Sequence, residues 1–358
     1  MPSQLKYDRT LCNTVLVLAF FGLLMVFSVK TSDTNGFSFV VKQAVAVVIG
    51  LTAMRFLMFR DYHEWRNQKA VFMAVGGVII LLSLALLIGT GANTSRFLRI
   101  GPLSLQPSEL AKPVLILFLA YFFSTRKGKL DSLRSLGGAI LILGALCGLI
   151  LGGRDLGTAV AVIAIAAAIF WTAGVPTRYF AVGGVASTVF VGLAVWIDPY
   201  RLRRLLIFLN PESDPQGAGF QIIQSKIAVG SGGWFGQGLM LGRQKMRFLP
   251  EAHTDFIFAV IGEELGLIGC FLVVLAFGVI LWRGLEAARL APDDFGAYLA
   301  AGATAMIVCQ AMINIGVVLG MLPTKGMPLP FISYGGSSMI VSLAAAGLLL
   351  NVSQRVRS

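Results

Sequence analysis

Charge and histidine are both scarce in this sequence. Only 13% of the 358 residues are charged and two are histidines, whereas 56% are hydrophobic. Soluble domains are about one quarter charged, so this balance excludes an ordinary soluble enzyme. The sequence also lacks a P-loop, a GxGxxG turn before a helix and an HExxH motif, so no ATP-driven, dinucleotide or zinc-peptidase chemistry is indicated. The four cysteines have no metal-ligand or redox spacing, which indicates a packing role.

Ten long apolar stretches account for most of the chain. Each is close to the roughly 20 residues that a helix needs to cross a bilayer core. A helix buried inside a soluble protein is also apolar on every side, but ten in one chain favour a membrane protein. We predict an all-α polytopic membrane protein, a single domain over 1–358, with ten transmembrane helices and one long extracytoplasmic loop, 198–254, between helices 7 and 8. The stretches are 11–29, 38–58, 70–89, 109–124, 136–152, 156–173, 179–197, 256–282, 297–321 and 331–352.

Lysine and arginine set the predicted orientation. They are concentrated in one set of short connecting segments, which includes Arg60, Arg126 and Arg283, and they are rarer in the alternate set. Because short cytoplasmic loops carry the excess of positive charge, both termini are predicted to be cytoplasmic. The first stretch is not followed by a small-residue cleavage site, so we expect a retained helix of a protein of the cytoplasmic membrane.

The long loop carries an excess of positive charge and two further local patterns. Its cations include Arg201, Arg204, Lys226 and Arg243. They either attract anionic headgroups or form a binding surface for a phosphorylated substrate. Apolar residues at helical spacing over 220–227 predict a short amphipathic helix on the outer leaflet. The run GSGGWFGQG after it predicts flexible backbone that approaches another segment closely.

Three carboxylates follow where this loop enters the eighth stretch. Asp255, in LPEAHTDF, is either a helix N-cap or a catalytic base at the membrane surface. Glu263 and Glu264 lie about 12–14 Å further along a continuous helix, which predicts a position near the middle of the membrane. Carboxylates at that depth need partners, so they form either a polar lock between helices or an interaction with Lys112 or an equivalent polar group.

Other polar residues are predicted near the outer ends of the helices. Glu109 and Lys112, three residues apart at a helix start, form either an ordinary ion pair or part of a polar cavity. Asp155 either caps the sixth helix or joins a site with Asp255. The proline-rich segment 322–338 predicts non-helical backbone that enters the membrane around a polar cavity. The side chains expected to line that cavity are Lys325, Ser333 and Tyr334.

Five segments carry a resemblance to a known family and occur in one order across residues 90–340. They are QPSELAKP, RDLGTA, NPESDPQGAGFQIIQSKIAVGSGG, LPEAHTDFIFAVIGEELG and LPTKGMPLPFISYGG. Together they resemble the signature segments of the SEDS family (RodA, FtsW and SpoVE). The resemblance implies a peptidoglycan glycosyltransferase that polymerises lipid II into glycan strands on the outer face of the cytoplasmic membrane. It also implies a partner, a class B penicillin-binding protein that crosslinks the strands, and it maps the family's essential acidic residue onto Asp255.

The match departs from the family pattern in two places. Phe97 follows Arg96 where the family often has tryptophan, and Gly153-Arg154 precedes Asp155 where the family often has Gln-Pro. These differences concern contacts near the predicted cavity. Within the family, QSKIAVGSGG is more similar to RodA, the elongation member, and EAHTDFIFAVIGEELG is more similar to FtsW, the division member. A RodA-like role in cell shape is favoured, with the division role as the alternative.

Glycosyl transfer from a lipid pyrophosphate defines the predicted roles. A sugar hydroxyl is a weak nucleophile, so Asp255 is expected to take its proton while the hydroxyl attacks and inverts the donor anomeric carbon. Cations suffice to hold the pyrophosphate leaving group. A divalent cation, Mg²⁺ or Mn²⁺, could assist, although the sequence shows no metal-ligand cluster. The residues expected to bind substrate are Arg96, Glu109, Lys112, Asp155, Arg201, Arg204, Lys226, Arg243, Lys325 and Ser333.

Two other functions fit the same residues. A transporter that flips lipid II across the membrane would also need a polar cavity, cationic loops and intramembrane carboxylates. A non-catalytic membrane scaffold for a crosslinking partner is the third possibility. The expected contacts are with lipid II, the partner protein and membrane lipids, and none are expected with nucleic acid.

Overall fold

The computed structural model describes residues 7–30, 36–89, 97–100, 103–126, 132–217, 219–243 and 249–355. Within these ranges the chain forms α-helices, two short 3₁₀ helices and one antiparallel hairpin of β1 (Leu98–Ile100) and β2 (Leu103–Leu105). The α-helices are α1 (Arg9–Lys30), α2 (Gly36–Phe59), α3 (Gln68–Ile88), α4 (Pro107–Ser124), α5 (Leu133–Gly152), α6 (Leu156–Thr172), α7 (Thr177–Ile197), α8 (Pro199–Leu209), α9 (Phe220–Ser231), α10 (Ile257–Arg289), α11 (Asp294–Val318) and α12 (Gly336–Ser353).

Nine helices in the described part of the chain are long and apolar enough to cross a membrane. They are α1 to α5, α7 and α10 to α12, whereas α6 is apolar but shorter, with 17 residues. Many exposed side chains on these helices are Val, Leu, Ile and Phe, as on α7, where no residue is buried. Apolar surface of this extent suits contact with lipid. The predicted all-α membrane fold is confirmed, and the count of ten spans stays a prediction.

The segment expected to be one long loop contains two helices. α9 agrees with the predicted amphipathic helix, but it packs on α10 and α11, and Ser225 donates its hydroxyl to the Val318 carbonyl at 2.7 Å. α8 was not expected, because its arginines obscure the apolar spacing. Its start does carry a signal: Asp198 caps the helix, accepting a hydrogen bond from the Tyr200 amide at 3.1 Å, and Pro199 occupies the first turn.

The centre of the bundle is α11. Most of its residues are buried, and it packs against α4, α6, α10 and α12. α2 and α12 form another extensive helix pair, in which Gly347 allows close contact because a Cβ there would lie 2.5 Å from the Met54 carbonyl oxygen. These packed helices support the non-helical segments that precede α10 and α12.

The longest helix, α10, is broken at Gly266, which has a φ of 67°. Glycine adopts this left-handed conformation without strain. The glycine-rich run after α9 crosses the break: the Gln237 amide donates to the Glu263 carbonyl at 2.9 Å. On the other side of the break, the Leu267 amide donates to the Gly233 carbonyl at 2.9 Å. The run therefore makes the predicted close backbone approach and pairs polar groups that the broken helix would leave unpaired.

Glu263 and Glu264 lie just before this break. Glu264 accepts hydrogen bonds from the Ser28 hydroxyl at 2.8 and 2.7 Å, and Glu263 accepts one from the Arg243 amide at 2.7 Å. Ser28 lies in the last turn of α1. The part of α10 after the break is roughly 35 Å long at 1.5 Å per residue, which is enough to cross the bilayer core alone. Glu264 therefore lies beside the last turn of α1, and the mid-membrane depth predicted for the two carboxylates stays a prediction.

We expect Gly266→Ala to destabilise the protein. A Cβ at this position would lie 2.4 Å from the Gly236 amide nitrogen, and the left-handed backbone would cost alanine about 1–3 kcal/mol. Thermal unfolding in detergent measures the loss. Gly278→Ala is the matched control, because a Cβ there meets nothing within 4 Å and alanine favours a helix. Equal melting temperatures for the two variants would show that α10 does not need its break.

Candidate functional site

A cavity of about 1190 Å³ lies at the end of the bundle where α10 begins. It is lined by residues of α2, α6, α7, α8 and α12 and by two non-helical segments, 251–256 and 319–335. The charged and polar lining includes Lys42, Gln106, Arg154, Asp155, Arg201, Arg204, Glu251, Thr254, Asp255, Lys325 and Tyr334. The expected base thus shares one cavity with four of the residues expected to bind substrate: Asp155, Arg201, Arg204 and Lys325.

The expected base lies in a turn over residues 251–256, which we call the Asp255 turn. α10 begins only at Ile257, and its N-cap residue is Phe256. Asp255 therefore lies outside the helix and is not its N-cap. Of the two roles that the sequence left open, the structure excludes the cap and leaves Asp255 at the wall of a polar cavity.

Two side chains hold the Asp255 turn against the segment 319–335. Asn314 donates from its amide to the carbonyls of Asp255 and Met327, at 2.8 and 2.7 Å. Ser333 donates its hydroxyl to the Thr254 carbonyl at 2.5 Å and is buried, so its predicted place in the cavity lining is corrected to a fastening role. Non-helical backbone at a membrane end is stable only when its polar groups are paired in this way.

Five described cations line the cavity, and four of them form what we call the cationic group: Arg154, Arg201, Arg204 and Lys325; the fifth is Lys42. Arg201 donates to the Leu151 carbonyl at 2.7 Å and lies 3.4 Å from the Asp198 carboxylate. Arg204 donates to the Thr324 carbonyl at 3.2 Å. A guanidinium has five N–H donors, so these contacts orient both arginines without using all of their donors.

Lys325 has a lowered pKa. The main cause is burial, which removes its ammonium from water; the Asp155 carboxylate opposes the shift and Arg201 adds to it. Lys325 lies in the segment between α11 and α12, outside the membrane-spanning helices. It therefore loses its positive charge at a lower pH than an exposed lysine.

The other buried carboxylate of the cavity, Asp155, is held by several donors. It accepts hydrogen bonds from the hydroxyls of Ser108 and Thr158, both at 2.9 Å, and from the Gln106 amide at 3.0 Å. The Thr158 backbone amide also donates to it at 3.2 Å, which caps α6. Both roles left open by the sequence therefore hold, because Asp155 caps α6 and lies on the same cavity as Asp255.

Glu109 and Lys112 form a fully buried ion pair at 2.8 Å. Lys112 also donates to the Gln310 side-chain oxygen at 2.6 Å, and Gln310 donates to the Pro328 carbonyl at 2.9 Å. The pair therefore joins α4 to α11 and to the segment that carries Lys325. The predicted contact of this pair with the cavity is corrected to a supporting role, and Lys112 does not pair with the glutamates of α10.

The remaining predictions of substrate contact have mixed outcomes. Lys226 and Arg243 are exposed and lie outside the cavity lining. Arg96 falls outside the described residues. The sequence analysis did not predict Glu251 or Lys42 at the site, yet both line the cavity. The charge of a loop residue does not show whether its side chain points into the cavity or into solvent. A lysine near a helix end is common at a membrane surface, so Lys42 did not stand out.

The described acidic residues of the cavity were compared with the ligand sets of metal sites. Among the described residues, no three His, Cys, Asp or Glu side chains come together to hold a metal ion. Asp155, the buried acid of the lining, is already engaged by its hydrogen-bond donors. A divalent cation at this site would therefore depend on oxygen atoms supplied by a substrate.

Fold and site together define a polytopic membrane protein with an acidic turn and a cationic group in one cavity at a membrane end. The sequence model of the FtsW/RodA/SpoVE family, described as cell cycle proteins, matches residues 8–358. The chain belongs to this family.

Relatives and solved structures of this family align over nearly the whole chain. The probable peptidoglycan glycosyltransferase FtsW of Geobacter sp. (strain M18) is 40% identical, with 98% of each chain covered. The stage V sporulation protein E of Bacillus subtilis (strain 168) is 42% identical, again with 98% of each covered. A chain of a peptidoglycan synthase complex that coordinates polymerisation and crosslinking has a TM-score of 0.80 and 32% identity, with 97% of each covered.

The comparisons correct the favoured branch of the family. The rod shape determining protein RodA of Thermus thermophilus has a TM-score of 0.75 but is 28% identical, with 100% of each chain covered. The FtsW and sporulation relatives above are 40% and 42% identical. FtsW is therefore a closer name for this chain than RodA. The segment that indicated this branch correctly was EAHTDFIFAVIGEELG, and the segment that misled was QSKIAVGSGG.

We expect Glu109→Gln to destabilise the protein by about 3–5 kcal/mol, because Lys112 would stay buried without its carboxylate partner. Replacing both residues, as Glu109→Leu with Lys112→Met, should recover much of that loss. Thermal unfolding in detergent measures both effects. Glu64→Gln is the control, because its ion pair with Arg60 is exposed and contributes little. A Glu109→Gln protein that melts like the control would contradict the supporting role.

Proposed function

We propose that this protein is a peptidoglycan glycosyltransferase that joins lipid II molecules into glycan strands. Its family and the names of its relatives support this activity. The single observation that carries the proposal is the presence of Asp255 and the cationic group in one cavity at a membrane end. The relatives named FtsW and stage V sporulation protein E favour a role in division or sporulation over one in elongation.

The proposed reaction is a single displacement in which Asp255 is the base. Its carboxylate takes the proton from a hydroxyl of the acceptor sugar as that oxygen forms a bond to the donor anomeric carbon. The bond between this carbon and the pyrophosphate oxygen breaks, and its electron pair leaves with the lipid pyrophosphate. The anomeric carbon is inverted, and the proton stays on Asp255 until water removes it.

The cationic group is proposed to hold the leaving pyrophosphate. Pyrophosphate leaves readily when its negative charge is neutralised, so no second carboxylic acid is required. Arg204 is best suited to bidentate phosphate contact, because it has one contact to backbone, whereas Arg201 is also committed to Leu151 and Asp198. Lys325 would add a charge beside them, and Asp155 would orient that lysine.

The comparisons support a partner for the reaction, and the charge pattern of the sequence supports its location. A similar chain belongs to a peptidoglycan synthase complex with crosslinking activity, which supports a class B penicillin-binding protein as the partner here. The excess of Lys and Arg in alternate connections supports cytoplasmic termini. The cavity would then open on the outer face of the cytoplasmic membrane, where lipid II is polymerised.

The test is a polymerisation assay with purified protein, labelled lipid II and detergent, where no second compartment exists. We expect glycan ladders from the unchanged chain and a loss of about 100-fold or more in Asp255→Asn, because an amide cannot accept the proton. Glu212→Gln is the control, since Glu212 is exposed and lies outside the cavity lining. Full activity in Asp255→Asn would refute Asp255 as the base.

The rival functions give different results in the same experiment. A flippase would form no polymer in detergent and would move labelled lipid II across the bilayer of vesicles. A scaffold would do neither. Polymer formed in detergent by the chain alone, or with its crosslinking partner added, excludes both.

We expect Lys325→Arg to extend the activity of the protein toward alkaline pH. The lowered pKa means that Lys325 loses its charge below the usual lysine range, so pyrophosphate binding weakens as the pH rises through that value. Arginine stays charged throughout. Initial rates between pH 7 and pH 10 measure the effect, with Arg203→Lys as an exposed control outside the cavity. If the rate of Lys325→Arg falls at alkaline pH in the same way as the rate of the unchanged protein, Lys325 is not part of the phosphate site.

A further inference from the structure

Glu251 is a second carboxylate of the Asp255 turn, and the proposed chemistry does not use it. Its side chain is exposed and lines the same cavity as Asp255. We infer that Glu251 binds a hydroxyl of the acceptor sugar that lies next to the attacking hydroxyl, and so orients the sugar for Asp255. This inference rests on the proposed glycosyl transfer.

The backbone at Glu251 is the first support for this role. Its φ of 55° lies in the left-handed region, which is unfavourable for a residue with a side chain. The Glu251 carbonyl accepts hydrogen bonds from the amides of Thr254 and Phe256 at 3.1 and 3.4 Å, which closes the turn. Glycine would form this turn with less strain. A side chain kept in such a conformation is typical of residues that bind substrate.

The contacts of the carboxylate are the second support. The Thr254 hydroxyl donates to Glu251 Oε2 at 3.1 Å, which orients the carboxylate within the turn. In contrast to Asp155, which accepts four hydrogen bonds, Glu251 has this one side-chain contact among the described residues. An ionised carboxylate can accept about four hydrogen bonds, so Glu251 retains the capacity to accept more from a ligand.

The chemistry of the ligand follows from charge. A carboxylate repels phosphate, so Glu251 does not belong to the pyrophosphate site that the cationic group would form. The described residues place no third acidic, histidine or cysteine side chain beside Glu251 and Asp255. Sugar hydroxyls are neutral donors, and one carboxylate suits the hydroxyl beside the atom that Asp255 deprotonates. The acceptor sugar is therefore the ligand that fits.

The two carboxylates have different functions in this scheme. Asp255 removes the proton of the attacking hydroxyl, whereas Glu251 accepts a hydrogen bond from a hydroxyl that does not react. Loss of Glu251 should therefore weaken acceptor binding more than it slows the chemical step. Loss of a hydrogen bond to a charged group corresponds to roughly 10- to 100-fold in kcat/KM.

The experiment uses the full chain, a lipid-linked donor whose own attacking hydroxyl is blocked, and a lipid-linked disaccharide acceptor at varied concentration. We expect Glu251→Gln to raise the KM for the acceptor about 10-fold or more with a smaller change in kcat. Glu251→Gly should show at least the same loss while its melting temperature is unchanged or higher, because glycine relieves the left-handed backbone. If Glu251 only shaped the turn, Glu251→Gly would be fully active.

A second acceptor makes the test specific for the hydroxyl. Removing the hydroxyl next to the attacking one should reduce kcat/KM about 10-fold or more in the unchanged protein and much less in Glu251→Gln, because the contact is already lost. Equal losses in both proteins would overturn the inference.

If Asp255→Asn polymerises normally, the proposed function fails. If only the Glu251 variants behave like the unchanged protein, the proposed function stands and this inference fails.

Discussion

The backbone of the Asp255 turn is anchored by a side-chain amide of α11. Asn314, near the end of the central helix α11, donates to the carbonyls of Asp255 and Met327 and so joins two non-helical segments. Unpaired backbone groups are costly where a chain meets the membrane, because little water is available to bind them. Ser333 repeats the arrangement one residue earlier, at the Thr254 carbonyl. These hydrogen bonds hold the Asp255 turn, which has no helix or strand, in a fixed position against the packed bundle.

The same constraint explains the break in α10. A helix that ends inside a packed structure leaves carbonyls and amides without partners, and here the glycine-rich run supplies them on both sides of Gly266. Side chains would prevent this approach: a Cβ at Gly236 would lie 2.1 Å from the Glu264 carbonyl oxygen. Glu264 is held in turn by Ser28 of α1. The short helix that follows the Asp255 turn is therefore fixed at both ends.

The sequence predicted what depends on composition and local chemistry. Apolar stretches located the helices, and a carboxylate at the loop boundary located Asp255 on the cavity. The break at Gly266 was not foreseen, because one glycine in an apolar helix is usually tolerated. Lys226 was predicted to bind substrate but lies outside the cavity lining. A positive charge in a loop indicates an anionic partner and does not determine where the side chain points. Which face a loop cation occupies depends on tertiary contacts that no local pattern records.

Three of the described acids line the cavity, Asp155, Glu251 and Asp255, and the contacts of Asp155 distinguish it from the proposed base. Asp155 is buried and saturated by Ser108, Gln106 and Thr158, so its lone pairs are already occupied and it serves to fix α6 and balance Lys325. A base needs a carboxylate that can reach a substrate proton. The hydrogen bonds described for the Asp255 turn run to the backbone carbonyls of Asp255 and Thr254, and Asp255 lines the cavity. The hydrogen bonds of Asp155 therefore suit a supporting role, and the proposed base is the carboxylate of the turn on the same cavity.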